Sequence, residues 1–525
     1  MDDAQQHTKR VHSAIRTALP GILLVMFLGA LDQTVMASAL PTVAGELGGL
    51  DQMSTIITGY LVAATAAMPL TGKLGDAFGR KRILQASLIF FIIGAGLCSL
   101  AQSVPQLIAF RAVQGIGGGG LMIGAQSVIG ELVSPRERGR LLGIIGAAFV
   151  MAAVTGPLAG GAVVDHFSWR WIFYFYVPLG LAALAVVTFT LRLPVTPRGR
   201  RVDYGGAALL GLAIVAVIFL SSGGSYAGPV WVAPVLGAVA LVALAAWLFR
   251  ARRTVDPIIP LSLFRDPAFA IPTAVSFLVG FAMFATLNYL PAFLQVGMGM
   301  SATASGGMLI ALMVGFLLTT SGSGALITLT GRYKLYPVAG TLLAVPGIWL
   351  FSTMDSGSSP WLVLLSMLLL GLGIGLVMQV MVLVVQNSVE RRDLGAATST
   401  VTFLRQVGAA VGVAVLGSLI TARFAAAVPA PLAAALGDRI KSLTPKALEA
   451  LPAADRIAVA QAFGHAVPPV FGFAAVVLAV AFVLTLFLPE RELRTTAHAD
   501  TTRSDAAIPE ASDPADSTAP GAQND

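Results

Sequence analysis

The sequence predicts an all-α membrane protein of fourteen transmembrane helices, and three observations carry that prediction. Of its 525 residues 56% are hydrophobic and only 11% charged, a balance that suits a bilayer better than water. Apolar runs long enough to cross about 30 Å of hydrocarbon, roughly 20 residues each, recur from residue 18 to residue 488. The basic residues alternate from loop to loop as membrane sidedness requires.

The runs lie at 18–44, 54–72, 83–102, 106–131, 141–164, 170–192 and 204–221, then at 230–249, 269–294, 301–328, 335–353, 360–388, 400–422 and 467–488. The first is expected to remain as helix 1 rather than be cleaved as a signal peptide, because it is long and carries Asp32 in its middle. With the N-terminus inside, 25 of the 33 Lys and Arg fall on the inner side, and every short inner loop is basic. The net charge of +7 therefore reports topology, not nucleic-acid binding. An even number of spans places both termini on the cytoplasmic side.

An internal repeat appears at an offset of 256 residues: Gly115, Gly117, Gly119, Met122, Val128, Arg136 and Gly139 answer to Gly371, Gly373, Gly375, Met378, Val384, Arg392 and Gly395. Helix 4 thus corresponds to helix 12, which leaves helices 7 and 8 as an inserted pair between two six-helix bundles. The expected division is a cytoplasmic N-terminus (1–17), an N-terminal bundle (18–192), a linker with the inserted pair (193–268), a C-terminal bundle (269–488) and a disordered cytoplasmic tail (489–525). Residues 423–466 are expected to form an outer loop with a short amphipathic helix.

An enzyme is not expected. Cys98 is the only cysteine and the five histidines show no ligand spacing, so neither a disulfide nor a metal centre is predicted. No phosphate-binding loop for an ATP-driven pump is present, no nucleophile and base converge, and no cofactor is called for.

Several segments carry a resemblance to a known family. GKLGDAFGRKR (72–82), between helices 2 and 3, resembles the motif A signature of the major facilitator superfamily. LIAFRAVQGIGGGG (107–120) resembles that family's helix 4 motif, and GAAFVMAAVTGPLAGG (146–161) the helix 5 motif of its antiporter-type exporters. LDQTVMASALP (31–41), HFSWRWIFYFYVPLG (166–180) and VQNSVERRDLGAATSTVTFLRQVGAAVG (385–412) resemble the fourteen-helix drug and proton antiporters, which include many bacterial multidrug exporters. By that resemblance Asp76 and Arg80, with Gly72 allowing close helix approach, latch the inner ends of the two bundles together. In helix 5, Gly156, Pro157, Gly160 and Gly161 remove bulk along one face and permit close packing or a bend. Trp169 and Trp171 are expected at the outer interface. Tyr176 departs from the Asn usual in the family at that place.

Asp32 is the principal candidate for proton coupling. It lies 14 residues into the first span, about 21 Å at ~1.5 Å per residue, and no other acid is as deep. An ionised carboxylate there costs at least about 3 kcal/mol on insertion scales, so a cation, water or a proton must compensate it. Arg111 is the second intramembrane charge, expected to share in proton coupling by pairing with polar groups of helix 1 and altering the protonation of Asp32, or else only to lock two helices. Arg405 is expected to be structural. Tyr60, Gln126, Asn288, Tyr289, Gln379 and Gln386 are candidates either for lining a central cavity or for bonding a neighbouring helix. Asn288 falls 256 residues after Asp32 and is a possible neutral counterpart.

The resulting expectation is a bacterial inner-membrane exporter of small amphipathic, cationic compounds that exchanges them for protons by alternating access. Alternatives within transport are an exporter of lipids, metabolites or a self-made antibiotic, or an importer. The expected partners are the small-molecule substrate, protons and the lipid bilayer, with no nucleic acid and a monomeric chain.

Overall fold

The computed structural model describes residues 2–47, 53–191, 193, 202–221, 231–429 and 452–493. The described residues form helices and connecting turns, with no strand among them. The first six helices are α1 (Asp2–Glu46), α2 (Met53–Phe78), α3 (Arg80–Ser99), α4 (Val104–Leu132), α5 (Pro135–His166) and α6 (Arg170–Thr190). The inserted pair is α7 (Tyr204–Ser221) and α8 (Val232–Arg253). There follow α9 (Pro267–Ala292), α10 (Ala302–Thr330), α11 (Leu335–Ser352), α12 (Pro360–Ser388), α13 (Leu394–Ala427), α14 (Ala453–Ala466) and α15 (Pro468–Leu486). Among the described residues thirteen helices are long and apolar enough to cross a membrane, and the shorter apolar Tyr204–Leu220 makes a fourteenth. The last of the thirteen, Asp455–Leu486, takes in α14 together with α15.

Local chemistry explains many of the ends. Proline opens α4, α5, α9, α12 and α15, where its missing N–H costs nothing. Asp266 caps α9 by accepting from Ala268 N at 2.9 Å, and Ser301 caps α10 by accepting from Ala304 N at 3.1 Å. Gly331, with φ +70°, ends α10 in the left-handed region.

The two bundles share one packing plan. In the first, α1 lies against α4, α5 and α6, α4 against α2 and α3, and α3 against α6. In the second, α9 lies against α12, α13 and α15, α12 against α10 and α11, and α11 against α15. The glycines of the 256-residue repeat set this plan. Gly115 and Gly119 face the α2 backbone and Gly117 faces α3, while Gly371 and Gly375 face α10 and Gly373 faces α11. A Cβ at any of these positions would strike neighbouring backbone, so the missing side chains let the helices approach at van der Waals distance. The bundles meet symmetrically, α2 on α13 and α10 on α5. The inserted α7 packs on α2 and α13 and so covers one of these two seams.

Three boundaries differ from expectation. Helix α13 runs on to Ala427, into the segment expected to be a loop, and the short α14 lies in the same segment, for which a short helix was expected. There α14 buries Val459, Ala462 and Ala466 against Val296, Phe424 and Val428; residues 430–451 of that segment lie outside the described residues. The tail is anchored at its start. Arg491 holds Asp266 through two bonds of 2.8 Å, and the Tyr333 hydroxyl donates to the Pro489 carbonyl at 2.7 Å. The rest of the tail, 494–525, lies outside the described residues. At the other end, the segment expected before helix 1 is continuous with it, because α1 is helical from Asp2.

Candidate functional site

Asp32 and Arg111 meet inside the N-terminal bundle. Arg111 Nη1 donates to Asp32 Oδ1 at 2.8 Å and Oδ2 at 2.9 Å. Gln114, one turn further along α4, donates from Nε2 to Asp32 Oδ1 at 3.0 Å and accepts from Arg111 Nη1 at 3.0 Å. The side chains are 0% and 2% exposed for Asp32 and Arg111. A pair so completely out of water gains most of its value from these additional bonds. The Tyr60 ring of α2 lies 4.3 Å from the Arg111 guanidinium carbon, and Phe173 of α6 lies 6.0 Å away, so aromatic faces cover the cation. Cys98 of α3 approaches Gln114 Oε1 at 3.7 Å.

The cluster therefore draws on α1, α2, α3, α4 and α6. Arg111 and Tyr60 each stand seven residues from the N-terminal ends of α4 and α2, about 10 Å at ~1.5 Å per residue. The cluster lies nearer those ends than the end at which α2 meets α3. Chemically it is a carboxylate that can exchange its cation partner for a proton, and the exchange would loosen α1 from α4.

A second cluster closes the inner ends of the bundles. The Asp76 carboxylate accepts from Gly395 N at 2.9 Å and Ala396 N at 2.8 Å, and so sits on the N-terminus of α13, where orphan N–H groups favour an anion. Arg80 donates to Asp76 at 2.9 Å, to Glu131 at 2.8 Å and to the Arg391 carbonyl at 3.0 Å. Arg391 Nε in turn reaches Glu131 at 3.1 Å across the bundle boundary. Gly72 lies against Gly395 and Ser399 of α13, with no room for a Cβ. Lys73 pairs with Asp256 in the linker after α8, tying the inserted pair to the same place. Glu131, Arg391 and Asp256 were not singled out from sequence. Their signal was acidic and basic residues at the inner helix ends, which could not say which of them would meet.

The helix 5 motif does not form one face. Gly156 packs on Thr34 of α1, whose hydroxyl donates to the Ala152 carbonyl at 2.9 Å, and Gly160 is buried on the same side. Pro157 is exposed, and a Cβ at Gly161 would meet nothing. Each residue turns the helix by about 100°, so positions four apart nearly align: 156 and 160 make one stripe, and 157 and 161 another. Trp169 stands at the start of α6, covered by protein rather than exposed. It is buried and donates to Glu46 at 2.8 Å, whereas Trp171 is 48% exposed. Tyr176 is buried edge-on to Phe91 and Phe173, behind the Arg111 cluster.

Between the bundles lies a cavity of about 40 Å³. Its polar lining is Gln33 of α1, Gln379 of α12, and Arg405 and Gln406 of α13. Phe149, Phe284 and Phe316 supply aromatic walls from α5, α9 and α10. Pockets for drug-sized molecules are usually about 300–1,000 Å³, so this cavity is too small for one as it stands. Of the residues expected to line it, Gln379 does. Tyr60 instead covers Arg111. Gln126 bonds across the inner boundary, accepting from Thr402 at 3.4 Å through its side chain and from Gln386 at 3.2 Å through its carbonyl. The Tyr289 hydroxyl donates to the Val413 carbonyl at 2.9 Å. Asn288 is exposed, unlike the buried Asp32 it was matched to. Arg405, expected to be structural, is 4% exposed, and no hydrogen bond or ion pair reaches its guanidinium among the described residues.

Comparison with known proteins places these features in context. The family model described as Major Facilitator Superfamily matches residues 22–413. An uncharacterized MFS-type transporter of Mycobacterium tuberculosis is 38% identical over 476 residues, covering 89% of this chain and 68% of that relative. Multidrug resistance protein 3 of Bacillus subtilis is 30% identical over 490 residues, covering 91% and 96%. Among solved structures, a proton:xylose symporter of the same superfamily aligns with TM-score 0.62 at 15% identity over 94% of this chain and 99% of that one. The human organic anion transporter MFSD10 aligns with TM-score 0.62 at 17% identity over 90% and 99%.

Proposed function

The chain belongs to the Major Facilitator Superfamily, and from that premise we propose that it exports small amphipathic compounds in exchange for protons, through the membrane of a bacterium. The observation that carries the proposal is the Asp32–Arg111 pair, a titratable carboxylate sealed at membrane depth on a helix whose next residue, Gln33, lines the cavity. A charge pair buried in a membrane bundle is a functional site by default. A proton arriving from the outer side would neutralise Asp32, free Arg111 and shift α1 relative to α4; return of the cation partner would expel the proton inward after the bundles rock.

With one such acid the exchange moves one proton per cycle. Each elementary charge carried contributes about 2.3 kcal/mol per 100 mV. The latch supports the outward half of the cycle, since Asp76 on the N-terminus of α13 holds the inner ends shut. The motif resemblances and the multidrug name of the Bacillus relative favour export over import.

The expectation of a cationic cargo rested on a carboxylate free to attract it. Asp32 is closed behind Arg111 and does not line the cavity, so the proposal keeps amphipathic cargo and seeks its charge preference elsewhere. A lipid exporter is the second reading. It is favoured by an apolar groove of about 440 Å³ between α7, α8 and α13, lined by residues such as Ile214, Trp247 and Phe403.

The test uses the purified chain in vesicles under an imposed pH gradient, with a panel of neutral and charged aromatic dyes and a fluorescent phospholipid. Gradient-driven dye movement that Asp32→Asn abolishes, with dye binding retained, is the expected result. Equal gradient dependence in Asp32→Asn would refute the coupling assignment. Movement of the phospholipid alone would select the second reading.

A further inference from the structure

Two arginines lie deep in the membrane region, and their surroundings differ. Arg111 has Asp32, Gln114 and two aromatic faces. Arg405 has none of these. It sits eleven residues into α13, about 16 Å from the helix start at ~1.5 Å per residue, with its Nε buried and without a partner. Its surroundings on every side of the cavity are neutral: the amides of Gln33, Gln379 and Gln406, aromatic rings and methionines, with no Asp or Glu among the lining residues. The Gln379 Oε1 atom is likewise buried without a partner.

Burying one charge with no counter-ion costs several kcal/mol. Among the described residues an acid meets Arg111 and none meets Arg405. The 256-residue register sharpens the contrast, because the equivalent position in the first bundle is Phe149, which lines the same cavity. One half offers an aromatic wall where the other offers a guanidinium.

We propose that Arg405 is an anion subsite of the central cavity, and that the cargo accepted there is an amphipathic aromatic compound carrying a carboxylate, sulfonate or phosphate group. The planar guanidinium matches such oxyanions in geometry and is weakly hydrated, so it loses less than an ammonium would on leaving water. The phenylalanines take the ring system, and the free amide oxygen of Gln379 accepts a hydroxyl or N–H of the cargo. The inference rests on the exporter reading only in taking this cavity as the cargo site.

The experiment compares anilinonaphthalene sulfonate with phenylnaphthylamine, the same ring skeleton without the sulfonate, by equilibrium binding of labelled compound to the purified chain in phosphatidylcholine nanodiscs. Arg405→Gln is expected to weaken the sulfonate at least about tenfold, the loss of one charge-assisted bond, while the neutral compound stays within about twofold. Arg405→Lys keeps the charge and should retain most of the discrimination. Should Arg405→Gln fail to give a monodisperse protein, Gln379→Glu places a carboxylate in the same cavity and is expected to cause the same selective loss.

An unchanged sulfonate preference in the variants overturns the inference, whatever the transport assays show. Arg405-dependent sulfonate binding in a chain that moves no dye under a pH gradient leaves the subsite standing and removes the exporter reading alone. Repeating the measurement with phosphatidylglycerol in the nanodiscs separates the sources of the anion. Unchanged affinity supports a small-molecule cargo, and loss of sulfonate binding overturns it in favour of a lipid headgroup.

Discussion

Removing either member of the Asp32–Arg111 pair should cost more than removing both. Arg111→Met introduces the residue found at the repeat-equivalent position, Met367, which is fully buried in α12. It leaves a carboxylate at 0% exposure with only Gln114 as donor, and the cost of orphaning one side of a buried pair is about 3–5 kcal/mol. Asp32→Asn leaves Arg111 against Gln114 and the Tyr60 face, so its cost should lie near about 3 kcal/mol, the lower end of that range. The double variant has no buried charge, and replacement of a whole pair by neutral groups is often close to neutral. It should therefore be more stable than either single variant, with an interaction free energy of at least about 3 kcal/mol in the cycle. Unfolding in mixed detergent and dodecyl sulfate micelles yields the four free energies. Additive costs would refute the claim that the two charges depend on each other. In vesicles all three variants should lose the response to a pH gradient; the stable double variant separates loss of coupling from loss of fold.

Two further outcomes follow from the packing. Asp76→Ala removes two bonds to the N-terminus of α13 and one to Arg80, each charge-assisted and worth roughly 1.5–3 kcal/mol. It should shift the bundles toward inner opening by more than about tenfold, seen as loss of cross-linking between cysteines placed at the inner ends of α2 and α13; unaltered cross-linking would count against the latch. Cys98 is fully buried among α3 and α4, so maleimide should label it only after unfolding, and rapid labelling of the native chain would contradict the packing around Gln114.

The architecture was legible because bilayer thickness and loop charge impose themselves on composition. Fourteen spans follow from run length, and the glycine register of helices 4 and 12 became a packing plan because close backbone approach excludes a side chain wherever it occurs. Partner choice was not legible. Glu131 and Arg391 stand 260 positions apart, and what joins them is the rotation of α4 relative to the turn before α13, which hydropathy does not encode. The same holds for Trp169, whose aromatic character suggested a helix end but not its bond to Glu46 at the end of α1. Tyr60 and Gln126 looked like cavity residues because polar groups in a span must satisfy themselves somewhere; the structure satisfies them within and between bundles instead. Arg405 was the reverse case. A charge at the inner half of a helix reads as structural until the absence of an acid around it becomes visible.

The placement of charge on α1 would let one helix serve two ligands in the proposed exchange. Successive residues on a helix point 100° apart, so Asp32 enters the bundle interior while Gln33 lines the space between bundles. In the proposed exchange proton and cargo would share a rigid element without sharing a site. A proton on Asp32 would weaken the charge-assisted bonds that hold α1 to α4, and any resulting movement of α1 would carry Gln33 with it. Thr34 extends the linkage to α5, since its hydroxyl bonds the Ala152 carbonyl across the close contact at Gly156. Helix α5 in turn packs on α10 of the other bundle. Three consecutive residues therefore connect the titrating group, the cavity and the bundle interface. Coupling by this route does not require the proton and the cargo to compete for one carboxylate, and so it places no demand that the cargo be a cation. The unpaired guanidinium of Arg405 is free to set the opposite preference.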